Sequence, residues 1–234
     1  MKIFSVCVII PAYNESSVIG ELIGYLGKTF DNTKYKLTMV VVDDGSSDNT
    51  AHESEKAGAY VIKHIINTGS GGATATGLSF AKRSDFDVAA TFDADGQHDP
   101  KDLLEGIRIM LNSNDDLLIG SRLIDTTGMS NAKILGNKGL SFITQILFGT
   151  HVTDSQSGLR IFSKHALNNL EWKSNGYEFC SEMLWRAKQA KLNISEFPIK
   201  AIYTDYSISK GQNNWNAFNI IKALFRTRIM ELFR

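Results

Sequence analysis

The chain has 234 residues, 43% of them hydrophobic and 21% charged, with basic and acidic side chains equal at 25 each. This is the composition of a soluble globular protein, long enough for one sizeable α/β domain with its own core. The zero net charge excludes a general nucleic-acid binder, which carries a basic excess, so no nucleic-acid partner is expected.

Residues 5–10 (SVCVII), rich in β-branched side chains and closed by Pro11, read as a buried strand. This run leads into a polar turn with no small-residue cleavage site, so it is a core strand rather than a signal peptide. Residues 16–26 carry helical spacing through Val18, Leu22, Ile23 and Leu26. A second strand, 37–42, ends in DDGSSDNT, where Ser47 or Asp48 is placed to cap the next helix. Residues 59–65 form a third strand, and the turn NTGSGGATATGL then opens a helix of small residues. Residues 87–92 form a fourth strand, ending in DADGQHDP. The alternation predicts a mainly parallel sheet with right-handed crossovers, its polar motifs at the carboxyl ends where such sheets bind ligands.

The second half predicts strands at 116–121, 159–162 and 194–203, and helices at 131–148, 177–191 and from 214 to the end. No linker or repeat divides the chain. The reading is one domain over 1–234, with a donor half (1–120), an acceptor half (121–212) and a C-terminal amphipathic helix (213–234). Cys7 and Cys180 sit in apolar contexts and read as two buried thiols. No stretch reaches the length of a membrane span.

Three motifs carry chemistry. In TFDADGQHDP, Asp93 and Asp95 are one residue apart just past a strand, so both carboxylates can face one turn. Mg²⁺ and Mn²⁺ take oxygen ligands, often one or two carboxylates plus substrate phosphates; Gln97 can add a carbonyl, and His98 or Asp99 supporting contacts. Read blandly, this is an acidic turn with Asp99-Pro100 starting a helix. Asp43 and Asp44 end the second strand, where a carboxylate can accept from a nucleobase or ribose. The bland reading is a tight turn. Gly69, Gly71 and Gly72 allow close backbone approach before a helix N-terminus that favours anions; close helix–sheet packing explains them equally well.

VIIPAYNES, VVDDGSSDNT, the glycine-rich turn and DADGQHDP stand in an order that resembles the inverting GT-A glycosyltransferases of family 2. GSR at 120–122, DSQSGLRIF at 154–162 and YSISKGQ at 206–212 resemble its dolichol- and polyprenyl-phosphate branch, typified by dolichol-phosphate mannosyltransferase. The resemblance implies a GT-A (Rossmann-like) α/β fold and transfer of a hexosyl group from a UDP- or GDP-sugar to dolichyl or undecaprenyl phosphate. It places Pro11, Tyr13, Glu15 and Asp44 around the nucleotide. Lys210 falls to the donor diphosphate, and Asp93, Asp95 and Gln97 to ribose, Mg²⁺ or Mn²⁺ and diphosphate. Arg122 meets the acceptor phosphate. The branch's Arg-x-x-x-Ser is replaced by GNKGLS, which leaves Lys138 as the candidate second cation beside Ser141, and Ser209 belongs to the closing loop.

Other readings stay open. A saccharide hydroxyl acceptor would need a base, for which Asp154 is the candidate. A nucleotidyltransferase would want a basic triphosphate loop where PAYNES stands, and a sugar-nucleotide sensor would not need the metal pair. Glu182 and Arg186 read as an ion pair one helical turn apart, and His151 and His165 match no metal spacing. The tail puts Phe218, Ile221, Phe225, Ile229 and Leu232 on one face, as an interfacial helix does, or one that docks on its own domain or on a small membrane protein. A cytoplasmic protein, peripheral at the cytoplasmic membrane face, is expected.

Overall fold

The computed structural model describes residues 3–203, 206, 220–226 and 228. A seven-stranded sheet runs in the order β3-β2-β1-β4-β6-β5-β7. Its strands are β1 (Phe4–Ala12), β2 (Tyr35–Asp43), β3 (Tyr60–Lys63), β4 (Val88–Thr91), β5 (Leu117–Ser121), β6 (Arg160–Ser163) and β7 (Ile194–Pro198). Every pairing is parallel except those of β6, which runs against both β4 and β5.

The helices are α1 (Ile19–Phe30), α2 (Thr50–Lys56), α3 (Ser70–Arg83), α4 (Pro100–Met110), α5 (Asn131–Phe148), α6 (Lys164–Asn169) and α7 (Phe179–Gln189). The period-two alternation of β1 sorts them into two layers. Val6, Val8 and Ile10 face one core with α1 and α4, through Ile19, Ile23, Leu26, Leu103 and Ile107. Cys7 and Ile9 face the other with α3 and α7, through Ala73, Leu78, Met183 and Leu184. Gly77 is required in α3: a Cβ there would collide with Ile9, so a side chain would lift the helix off the sheet.

Two local details show the sequence choosing its geometry. The Ile9 carbonyl bonds the Phe92 amide, so the nitrogen of residue 11 faces the same side, where β4 has already ended. Proline, lacking an N–H, leaves no rung missing there. At α4, Asp99 accepts from the Lys101 amide at 2.9 Å and Pro100 fills the first turn. At α2 the capping falls to Asp48, whose carboxylate accepts from the Thr50 amide.

The strand expected over 194–203 stops at Pro198, and α6 was not anticipated. Both cysteines are free and buried, and burial pushes the Cys7 thiol up to about 12. Residues 220–226 are helical, with Ile220 and Leu224 packed against Leu140, Phe148 and Trp185. That segment docks on its own domain through Ile220 and Leu224, outside the expected stripe, with the stripe residue Ile221 packed beside them and Phe225 exposed. Of the stripe itself, Phe218, Ile229 and Leu232 lie outside the described residues.

Candidate active site

The sheet order reverses between β1 and β4, and at that switch point the carboxyl ends of parallel strands form the ligand crevice. The loops after β1, β2, β4 and β5 therefore open on one rim. Because β6 is antiparallel, its first residue lies on the same rim and brings the 154–158 loop to it. Five separated motifs thus converge.

The β1 and β2 loops are locked together. Asn14, at φ 55°, receives the Ser47 amide on its side chain, and its own amide donates to the Ser46 hydroxyl. The Glu15 amide donates to the Thr50 hydroxyl and the Ser16 amide to Asp48. Tyr13 is 46% exposed on this rim. Glu15 is buried and accepts from the Tyr206 hydroxyl at 2.5 Å, which ties the start of the YSISKGQ stretch to the donor side. Ser209 and Lys210 lie outside the described residues.

Asp44 was expected to read the nucleotide. It is buried, and its carboxylate accepts from the Thr68 amide and hydroxyl, the Gly69 amide and His64 Nδ1. Burial opposes its ionisation, but these bonds outweigh it and hold the carboxyl below its usual range. Asp44 organises the glycine-rich turn. Its neighbour Asp43, also buried, donates nothing and accepts from the Ser46 amide on Oδ1, while Oδ2 has no partner among the described residues. A buried orphan acceptor on a ligand rim is what a nucleobase N–H or ribose hydroxyl would satisfy. The sequence reading assigned the nucleotide to Asp44; the bond pattern instead leaves the unpartnered oxygen on Asp43.

Gly71 was expected to cradle phosphate, and the structure corrects this. Its amide and that of Gly72 donate to the Asn175 carbonyl, and a Cβ at Gly71 would meet the Ser174 carbonyl and Phe179. The 174–176 backbone closes the N-terminus of α3, so Gly71 serves close packing.

Asp93 and Asp95 follow β4. His98 Nε2 lies 3.2 Å from Asp93 Oδ2, with its buried ring edge-on to Phe92. Asp95 accepts from the Gln97 amide at 3.0 Å and from Gln97 Nε2 at 2.6 Å, so Gln97 orients a carboxylate with its side-chain N–H group. Burial opposes ionisation of Asp93, but His98, Arg122 and Arg160 hold its carboxyl low. Burial and then the Asp93 charge push Asp95 up to about 6. Two oxygen donors crowded until one resists ionising suit a hard divalent cation, whose charge would remove the conflict. Among the described residues no group of three or more His, Cys, Asp or Glu side chains could hold a metal alone. Asp93 and Asp95 therefore fit a cation whose remaining ligands come from water and phosphate.

Arg122 sits at the end of β5, its Nε 2.7 Å and Nη2 2.9 Å from the two oxygens of Asp154. Asp154 is fully buried and also accepts from the Arg122 amide. A carboxylate with both oxygens bonded to a guanidinium is not poised to take a proton, so the structure makes Asp154 the holder of Arg122 rather than a base. Ser141 is buried as well, accepting from the Ser155 amide and donating to its hydroxyl, which pins the 154–158 loop to α5. Lys138 is exposed beside that loop. Lys133 lies with its Nζ 3.6 Å over the Tyr203 ring, and burial and then the Arg122 charge lower its ammonium's pKa while Asp95 opposes the shift.

Two residues that the motifs did not single out hold the centre together. Gly158 lies against the Asp93 carboxylate so closely that a Cβ would overlap it. Arg160 is buried, donating to the carbonyls of Ser155, Ser157 and Cys180 and to Met183 Sδ. Glu182 pairs with Arg186 at 3.3 Å as expected.

Residues 7–171 match the family model described as "Glycosyl transferase family 2". The chain is 43% identical over 244 residues to a UDP-N-acetylglucosamine–dolichyl-phosphate N-acetylglucosaminyltransferase of Methanococcus voltae, covering 94% of this chain and 95% of that one. It is 26% identical to a polyprenol monophosphomannose synthase of Mycolicibacterium smegmatis, over 94% of this chain and 84% of that one. Among solved structures, glucosyl-3-phosphoglycerate synthase of Mycobacterium tuberculosis, in complex with Mn²⁺, UDP and glucosyl-3-phosphoglycerate, superposes with a TM-score of 0.72 at 16% identity. That match covers 96% of this chain and 80% of that one.

Proposed function

We propose that this chain, which belongs to glycosyl transferase family 2 and to its polyprenyl-phosphate branch, transfers N-acetylglucosamine from its UDP donor to a dolichyl-type polyprenyl phosphate. The Methanococcus voltae relative, similar over nearly the full length of both chains, supports the donor and acceptor. The Mn²⁺ and UDP bound by the mycobacterial neighbour support a divalent cation and a uridine nucleotide.

The observation that carries the reading is the Arg122–Asp154 pair. In a saccharide-hydroxyl acceptor the attacking oxygen must lose a proton, and Asp154 is committed to Arg122. A lipid phosphate needs no base, since its oxygen is already anionic near neutral pH. Its oxygen attacks the anomeric carbon, the bond from that carbon to the donor's diphosphate oxygen breaks, and configuration inverts in a single displacement. Arg122, 12% exposed at its side chain and held in orientation by Asp154, presents positive charge to the incoming phosphate. Lys133 adds a second cation on the same side. Asp43 Oδ2 accepts from the uracil N–H or the ribose, and Tyr13 lies against the base. Asp93 and Asp95 would hold Mg²⁺ or Mn²⁺, which would supply positive charge against the charge that develops on the leaving diphosphate. His98 and Gln97 fix the two carboxylates for that purpose.

The test is product formation by the purified chain with Mn²⁺, a polyprenyl phosphate and, in separate reactions, UDP-N-acetylglucosamine, UDP-glucose and GDP-mannose. Lipid-linked N-acetylglucosamine from the first alone is the expected result. Transfer to a free saccharide and not to the lipid phosphate would overturn the acceptor reading, and preference for GDP-mannose the donor reading.

A further inference from the structure

The two halves of α5 find different surroundings. Its second half buries Leu140, Ser141, Thr144 and Phe148 against the domain, whereas none of residues 131–139 is buried. Helical stretches that short are marginal in water without a surface to pack on. On the outer side Leu135, Phe142 and Ile146 are 74%, 62% and 66% exposed. With Gly139 they fall at i, i+4, i+7 and i+11, a single apolar stripe.

Charge and position point to what covers it. The helix carries Lys133 and Lys138 and no acidic residue, so it favours an anionic surface. Beside the stripe a groove of ≈ 390 Å³ is lined by Leu123, Lys138, Phe142, Val152 and Thr153, chain neighbours of Arg122 and Asp154 among them. A second copy of this chain on the stripe would cover the mouth of that groove. A bilayer would instead feed it. No helix among the described residues is long and apolar enough to cross a membrane, so contact through a surface is what the described part of the chain offers.

We propose that the Leu135–Phe142–Ile146 stripe is a membrane-contact surface, its apolar side chains entering the interface of a bilayer with anionic headgroups and Lys138 lying over the phosphates. The proposal rests on the lipid-phosphate reading above for its purpose, but its test does not. Purified protein is floated with phosphatidylcholine vesicles, with and without phosphatidylglycerol, as wild type, as Leu135→Glu/Ile146→Glu and as Leu135→Ser/Ile146→Ser. The wild type floats with the anionic vesicles, less so in high salt, and both variants lose at least tenfold in vesicle affinity. Their melting temperature, UDP binding and turnover of a water-soluble short-chain polyprenyl phosphate stay at wild-type level. Failure of the wild type to float, or flotation of both variants like wild type, overturns the surface. So does a concentration-dependent dimer that the variants abolish, which would make a second copy the occupant. A fall in melting temperature in both variants also overturns it, because the stripe would then be packed against the chain itself. Flotation as expected without turnover of any lipid phosphate would uphold the surface and sink the acceptor reading.

Discussion

Gly158→Ala is the smallest change that reaches the Asp93 carboxylate, proposed above as a metal ligand. Gly158 does not have positive φ, so alanine meets no backbone strain and the effect is purely one of space. The added Cβ would overlap both oxygens of Asp93. The backbone cannot retreat: the Gly158 carbonyl accepts from the Thr91 hydroxyl at 2.7 Å, and the Leu159 carbonyl accepts from the Gly120 amide at 2.9 Å. Asp93 must therefore swing away from His98. Overpacking of this kind costs about 1–3 kcal/mol, and at this chain length each kcal/mol lowers Tm by about 2–4 °C. Misorienting a metal ligand costs about 10–100-fold in metal affinity. The expected result is a folded protein, several degrees less stable, that needs about 10–100-fold more Mn²⁺ for half-maximal transfer. Isothermal titration of Mn²⁺ in the presence of UDP, beside a thermal melt, measures both. Gly136→Ala, where a Cβ meets nothing within 4 Å, is the control and should leave metal affinity unchanged. An unaltered Mn²⁺ requirement in Gly158→Ala would refute the reasoning, because Asp93 would then have tolerated displacement or would not be a ligand.

Four further outcomes are expected. Asp43→Asn keeps the bond to the Ser46 amide but replaces the unpartnered oxygen; UDP affinity should fall about tenfold or more with Tm held, as calorimetry would show. Arg122→Lys keeps the charge and loses the fork to Asp154, so transfer to lipid phosphate should drop far more than UDP affinity, read as rate against nucleotide binding. With Asp95 raised to about 6, a proton must leave before a cation binds. Apparent Mn²⁺ affinity should thus level off above pH 6 and fall about tenfold per unit below it, and a flat profile from pH 5 to 7 would exclude the role. Leu224→Ala, at a fully buried position against α5 and α7, should destabilise by about 2–5 kcal/mol by denaturant titration.

The strands of the first half were legible because buried parallel strands are short, continuous and β-branched, and because Pro11, the DDGSS turn and Asp99-Pro100 punctuate them. β7 was overextended: Ile199, Ala201, Ile202 and Tyr203 keep a mostly apolar run after the ladder ends, and hydropathy does not reveal where a partner stops. For the site, spacing put Asp93 and Asp95 in one turn after a strand and the family resemblance pointed to Arg122, but neither revealed the bonds that tie Arg122 to Asp154. Asp43 and Asp44 are neighbours of one type, and the difference between holding a turn and keeping an open oxygen arises only when Thr68 and Gly69 fold back onto Asp44. Lys133 lies outside the motif that ends at Ser141, and its electrostatic coupling to Arg122 and Asp95 arises only when the fold brings α5 near them. Gly158 and Arg160 stood inside a quoted motif, yet their roles are contacts with residues far along the chain, to which local pattern is blind.

The reversed strand has a consequence for how the protein reaches its native state. β4 and β5 are not neighbours; the space between them is filled only by β6, made about 40 residues after β5 ends. A chain halted at Ser121 would carry β4 with one side bare, an open edge that invites pairing with other chains. The apolar residues of β4 and β5 would wait for a partner that closes a long loop, the kind of non-local contact that slows folding. The donor half, although its motifs read as a self-contained unit, should therefore aggregate when expressed alone as residues 1–121 and become soluble only when extended through Ser163.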